Sequence, residues 1–194
     1  MWPWEHLAVG YLVYSLSVHV TRRRKPSALA ALAVGFGSLF PDLVDKPLGW
    51  TFAILSSGTS LAHSVLVAVP LVVIVWAIAA ARGRGDVGAG FGVGYLLHLP
   101  ADAFYPLVFG RPPKFSSFFW PLIQVDSPAR GGLLETVVYF LNQYVGLLGT
   151  PEATAYLAFE FALLLAAFGL WVYDGYPGAP FRGRKRVNRS APRD

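Results

Sequence analysis

Residues 61–81 read LAHSVLVAVPLVVIVWAIAAA, and after His63 no ionisable side chain appears until Arg82. A helix needs about 20 predominantly apolar residues to cross roughly 30 Å of hydrocarbon, and this stretch supplies them. A second run, 153–173, reads ATAYLAFEFALLLAAFGLWVY and carries Glu160 as its one charged residue. The whole chain agrees: of 194 residues 55% are hydrophobic and 14% charged, with mean hydropathy +0.49. A soluble domain carries about 25% charged residues. The expected class is therefore all-α, a polytopic helical membrane protein.

Weaker stretches extend the pattern. Segment 87–109 is long enough to span but contains His98, Asp102 and two prolines, while 2–21 and 27–40 are less apolar or short. Segment 133–149, with Glu135, Asn142 and Gln143, reads as a re-entrant or interfacial helix. About five spans plus that extra helix are expected, in one domain over 1–175. Residues 176–194 read as a basic, disordered tail. The start, MWPWEHLAVGY, lacks the basic n-region of a cleaved secretory signal.

Basic residues orient the chain. Arg22–Lys25, Arg82, Arg84 and the tail cluster would be cytoplasmic under the positive-inside rule, leaving Lys46, Arg111, Lys114 and Arg130 outside. This expects a multi-pass cell-membrane protein with its N-terminus outside and its C-terminus cytoplasmic. The same distribution explains the +5 net charge without nucleic acid, since no basic reading element is present. With no cysteine, thiolate metal sites, disulfides and cysteine nucleophiles are excluded.

Polar residues within the apolar segments fall at one depth. His6, Asp42, Asp45, His63, His98 and Asp102 each lie some 14–20 positions from the nearest cytoplasmic basic cluster. At 1.5 Å per residue that is roughly 21–30 Å. His19 and Asp86 sit beside the basic clusters and do not join this layer. His98 and Asp102 are i and i+4, on one helix face. Asp42 and Asp45 converge if PDLVD makes a helical turn opened by Pro41.

Imidazole and carboxylate are the ordinary ligands of zinc, manganese or iron when thiolate is absent. A divalent cation would also neutralise carboxylates that are costly in lipid. One or two divalent ions are expected, zinc first, then manganese or iron. His63, His98 and Asp102 lead the ligand candidates, followed by Asp45 and His6. Asp42 is a candidate base or an orienter of a ligating histidine. Ser64 is a candidate nucleophile and Glu160 a candidate base or supporting carboxylate, each with a plainer structural reading as a hydroxyl or a buried polar partner.

Four stretches together resemble the predicted membrane-bound metal-dependent hydrolase family, of the LexA-regulated inner-membrane type. They are His6 in EHLAVGY, Asp42 and Asp45 in PDLVDKP, His63 and Ser64 in GTSLAHS, and His98 and Asp102 in HLPADAFYPLVFG. The resemblance covers residues 1–110. It departs from the family pattern at Gly58-Thr59, where an HR pair opens the third motif, and in an aspartate stretch one residue longer.

The resemblance implies a metal-dependent hydrolase. The position of the layer adds a lipid or lipid-linked ester or phosphoester substrate in the outer leaflet, with Arg111, Lys114 and Arg130 attracting an anionic head group. Two other functions fit the same residues. A transporter predicts polar residues at several depths leading across the membrane. A scaffold predicts a polar or metal cluster whose loss costs stability alone.

Overall fold

The computed structural model describes residues 1–125, 132–148 and 150–180; Arg130 and tail residues 181–194 lie outside that range. Six α-helices and no strand occur among the described residues: α1 (Pro3–Arg22), α2 (Ala28–Lys46), α3 (Val65–Ala81), α4 (Gly85–Phe104), α5 (Leu133–Leu147) and α6 (Pro151–Tyr173). Local chemistry explains their starts. Pro3 sits in the first turn of α1, where its missing N–H costs nothing, and the Trp2 N–H donates to Glu5 Oε2 at 2.6 Å. Ser27 and Ser64 accept from the amides of Ala30 and Leu66 and so cap α2 and α3.

The helices differ from the sequence expectation at their ends. The second runs through Asp42 and Asp45 to Lys46 and continues as a π-turn over Pro47–Thr51. Pro41 therefore lies inside a helix rather than opening a separate turn. The third begins at Val65, so His63 and Ser64 precede it.

Among the described residues two helices are long and apolar enough to cross a bilayer, Ala28–Thr51 and Ala153–Tyr173. The expectation of about five such spans is corrected accordingly. Helix α3 is apolar throughout but has 17 residues, and α1 and α4 dilute their apolar residues with glycine, histidine and acid.

The exterior is apolar and much of the interior is polar. Val20, Leu32, Val73, Ile74, Phe161 and Leu165 are exposed, whereas Glu5, His6, Ser15, Ser38, Asp45, His63, His98 and Asp174 are buried. Water-soluble folds bury such ionisable groups rarely.

Helices α2 and α4 form the centre and run parallel, in contact over most of their length. A Cβ placed on Gly90 would lie 2.7 Å from the Ala30 carbonyl oxygen, and one on Gly94 would strike the Val34 carbonyl. Only glycine permits this approach, the close helix contact that small residues provide in lipid. Helix α3 packs on α4, and α1 packs on α2, α4 and α6.

The basic loops share one end of the bundle. There Asp86 accepts from Ser27 Oγ at 2.9 Å and pairs with Arg24 at 3.6 Å, joining the start of α4 to the α1–α2 turn. At the same end Asp174, just past α6, accepts from Tyr11 and Ser15 hydroxyls at 2.6 Å and from His19 Nε2 at 2.7 Å. Midway along α6, Glu160 accepts from Trp4 Nε1 and, at 2.8 Å, from the Tyr144 hydroxyl. Thus α6 runs parallel to α1. Helix α5 stays at the end away from the basic loops, with Phe140 beside Trp50 and Tyr144 beside Trp2.

Candidate metal centre

The spacing along the two central helices places the polar layer. Gly90 meets Ala30 and Gly94 meets Val34; one turn further along each helix, His98 meets Ser38. Asp42 and Asp102 occupy the next rung. The loop from Phe52 to Ser64 then folds back so that His63 reaches the same point from the α3 side.

Asp42, His63, His98 and Asp102 each offer a ligand atom within 4.8 Å of every other, a group able to hold a metal ion. The two Nε2 atoms of His63 and His98 are 3.1 Å apart. His63 Nε2 lies 3.6 Å from Asp42 Oδ1 and 3.5 Å from Asp102 Oδ2. His98 Nε2 lies 3.8 and 3.5 Å from the same two oxygens. Ligands held at about 2.0–2.1 Å in a tetrahedron are separated by roughly 3.3–3.4 Å. These five separations bracket that value.

The tautomers follow from the partners. A carbonyl oxygen only accepts, so the 2.7 Å contact of His98 Nδ1 with Ser38 O makes Nδ1 the protonated nitrogen. His63 Nδ1 lies 2.8 Å from Asp45 Oδ2, and Asp45 also accepts the amides of Ser60, Ala62 and His63 at 2.7–3.2 Å. A carboxylate accepting that many N–H groups is the ionised acceptor, so His63 Nδ1 donates as well. Both rings therefore turn an Nε2 lone pair toward the other, an arrangement that repels unless a proton or a metal cation lies between. Asp42 Oδ1, buried and without a hydrogen-bond partner, points into the same space.

Asp42 and Asp45 have exchanged the positions expected of them. Asp42 joins the histidines, whereas Asp45 lies behind His63 and is occupied by it and by backbone amides. Three positions apart on a helix is a net turn of about 60° and a rise of about 4.5 Å, so the two carboxylates leave the same side of α2 at different levels and reach different partners. Lys46 pairs with Asp42 Oδ2 through the i,i+4 spacing and stands 5.5 Å from the centre of the Trp50 ring. His6 stacks flat on His98, with ring centres 3.8 Å apart, and its Nε2 is 3.1 Å from Asp102 Oδ1. The Met1 amino group touches the same oxygen. Asp102, its side chain 22% exposed, is the most accessible of the four clustered residues.

The other two candidates stand apart. Ser64 Oγ donates to the Trp120 carbonyl at 2.6 Å while capping α3. Glu160 is taken up by Trp4 and Tyr144, tying α1, α5 and α6 together. His19 and Asp86 lie at the opposite end, as their neighbouring basic residues suggested.

The Ser38 carbonyl is not legible in the sequence, because a backbone acceptor has no residue signature; the small residues Gly90 and Gly94, four apart, and Ala30 and Ser38, eight apart, are the signal that points there. At Gly58, where the resemblance puts a histidine, a Cβ would lie 2.5 Å from Trp50 Nε1. The indole fills the space that such a side chain would enter.

No curated protein and no solved structure matches the chain. The family model described as YdjM inner membrane protein matches residues 1–177.

Proposed function

The chain belongs to the YdjM inner membrane protein family, and from that premise we propose that it is a membrane-embedded metal-dependent hydrolase acting on a lipid or lipid-linked ester or phosphoester. One observation carries this reading. Two buried imidazoles, each with Nδ1 already donating, aim their Nε2 lone pairs at one point flanked by two carboxylate oxygens.

His63, His98, Asp42 and Asp102 hold the cation, zinc before manganese or iron given two nitrogen and two carboxylate donors. A divalent cation bound there supplies acidified water and polarises the bond to be cleaved. Asp45 and the Ser38 carbonyl fix the orientation of the two histidines, the supporting role that metal-bound imidazoles require. Lys46 balances the charge of Asp42. Asp102, the most exposed of the four, marks the side from which substrate reaches the centre.

In this reading α2 and α6 cross the membrane, with α1, α3 and α4 running between the same two ends. The basic end is cytoplasmic, so the centre lies near the outer face. Exposed Arg111 and Lys114, in the segment after α4, attract an anionic head group.

The test is metal content of the detergent-purified protein by mass spectrometry, beside a His98→Ala/Asp102→Ala double variant, followed by a screen of fluorescent phospholipids and neutral lipid esters. Near-stoichiometric metal that the variant lacks, with turnover that it also lacks, is the expected result. Absence of bound metal after incubation with zinc, manganese and iron overturns the proposal. Metal without turnover of any lipid favours the scaffold.

A further inference from the structure

We propose that this centre holds two divalent cations, the second lying between His6 Nε2 and Asp102 Oδ1, beside the one held by His63 and His98. The inference rests on the metal-centre reading above and goes beyond it in number, placement and the residue responsible.

Asp102 divides its two oxygens. Oδ2 lies 3.5 Å from both His63 Nε2 and His98 Nε2, whereas Oδ1 lies 3.1 Å from His6 Nε2. A carboxylate presenting its oxygens to two separate donor sets is arranged to bridge two cations. His6 is 2% exposed; its Nε2 meets Asp102 Oδ1, and its Nδ1 has no hydrogen-bond partner. It is the one histidine of the centre with no polar group committed to Nδ1. A buried polar group without a partner is unusual in a folded protein and calls for a reason.

The stacking supplies the geometry. The rings of His6 and His98 lie 3.8 Å apart and within 15° of parallel, with both Nε2 atoms turned toward the same Asp102 carboxylate. A cation bound by imidazole lies near the plane of its ring. Two parallel rings facing one carboxylate therefore hold cations separated by about the stacking distance. Two-metal hydrolytic sites have separations of roughly 3.5–4 Å, which suits one ion to the attacking water and the other to the oxygen of the bond being cleaved.

Manganese(II) chloride alone is the probe. Wild-type protein in detergent, stripped with chelator and reloaded, should bind two Mn(II) per chain and give the exchange-coupled paramagnetic resonance spectrum of a bridged pair. His6→Ala should bind one Mn(II) per chain with an uncoupled six-line spectrum, and that retained ion also reports that the variant is folded. One uncoupled Mn(II) in the wild type overturns the second site and leaves the hydrolase reading intact. Two Mn(II) in both proteins shows that His6 is not a ligand and overturns it too. No Mn(II) in either protein overturns the metal centre itself.

Discussion

His98 Nδ1 donates to the Ser38 carbonyl oxygen across 2.7 Å, and this bond locks the central helix pair to the chemistry of the site. It belongs to the α2–α4 ladder that begins with Gly90 on Ala30 and Gly94 on Val34, so the spacing that packs the bundle also aims the imidazole. The ring cannot turn without opening a buried hydrogen bond. Its Nε2 is left facing His63.

Widening that ladder should damage fold and site together. Gly94→Ala puts a methyl group into the Val34 carbonyl and Ser38, an overpacking worth about 1–3 kcal/mol. Gly169→Ala in α6 meets nothing within 4 Å and should be neutral or stabilising by up to about 1 kcal/mol through helix propensity. Thermal unfolding in detergent is expected to show a lower midpoint for the first variant, with reduced metal retention, and no loss for the second.

Asp45 should act through His63. Asp45→Asn keeps the shape but cannot accept from every amide that now points at the carboxylate, and it weakens the hold on the ring. Loss of such a supporting carboxylate typically costs about 10–100-fold in metal affinity. Competition against a chelator of known zinc affinity measures it. An unchanged affinity would mean that Asp45 serves the loop alone.

Glu160 should prove structural. Glu160→Gln retains one acceptor oxygen for two donors, Trp4 and Tyr144, so α5 and α6 loosen against α1. The expected outcome is a lower unfolding midpoint with full metal content. Loss of metal at unchanged stability would return Glu160 to the site.

Asp174 sets a pH dependence at the basic end. Burial raises its pKa, but the hydrogen bonds from Ser15, Tyr11 and His19 outweigh burial and leave it below the usual carboxylate value. A depressed folded-state pKa stabilises the protein above the unfolded value, about 3.9, and the contribution is lost as pH falls through the folded value. The gap in melting temperature between wild type and Asp174→Asn should therefore be full near neutrality and shrink in acid. A gap constant down to acid pH would sink this assignment.

Gly58 and Trp50 should be interchangeable only as a pair. Gly58→His alone collides with the indole and lowers stability. Adding Trp50→Ala should recover much of that loss, as coupled neighbours do. Additive losses in a double-mutant cycle of unfolding midpoints would show that the indole is not the obstacle.

The apolar runs at 61–81 and 153–173, the low charge and the basic clusters were enough to read an all-helical membrane protein. Counting residues from those clusters also brought His6, His63, His98, Asp42, Asp45 and Asp102 to one level and left His19 and Asp86 at the other. Such properties are one-dimensional: length, hydropathy and distance along a helix axis follow from residue order. Rotation about the axis and the register between helices do not. Whether Asp42 or Asp45 faces the two Nε2 atoms depends on how α2 is turned against α4, and the contacts of Gly90 and Gly94 decide it. The same is true of Ser38, whose carbonyl becomes a site group only because α4 lies close enough to use it, and of Glu160, whose charge is taken up by Trp4 and Tyr144 from distant parts of the chain. The level of the site was written in the sequence; the pairing within it was settled by how closely two helices can approach.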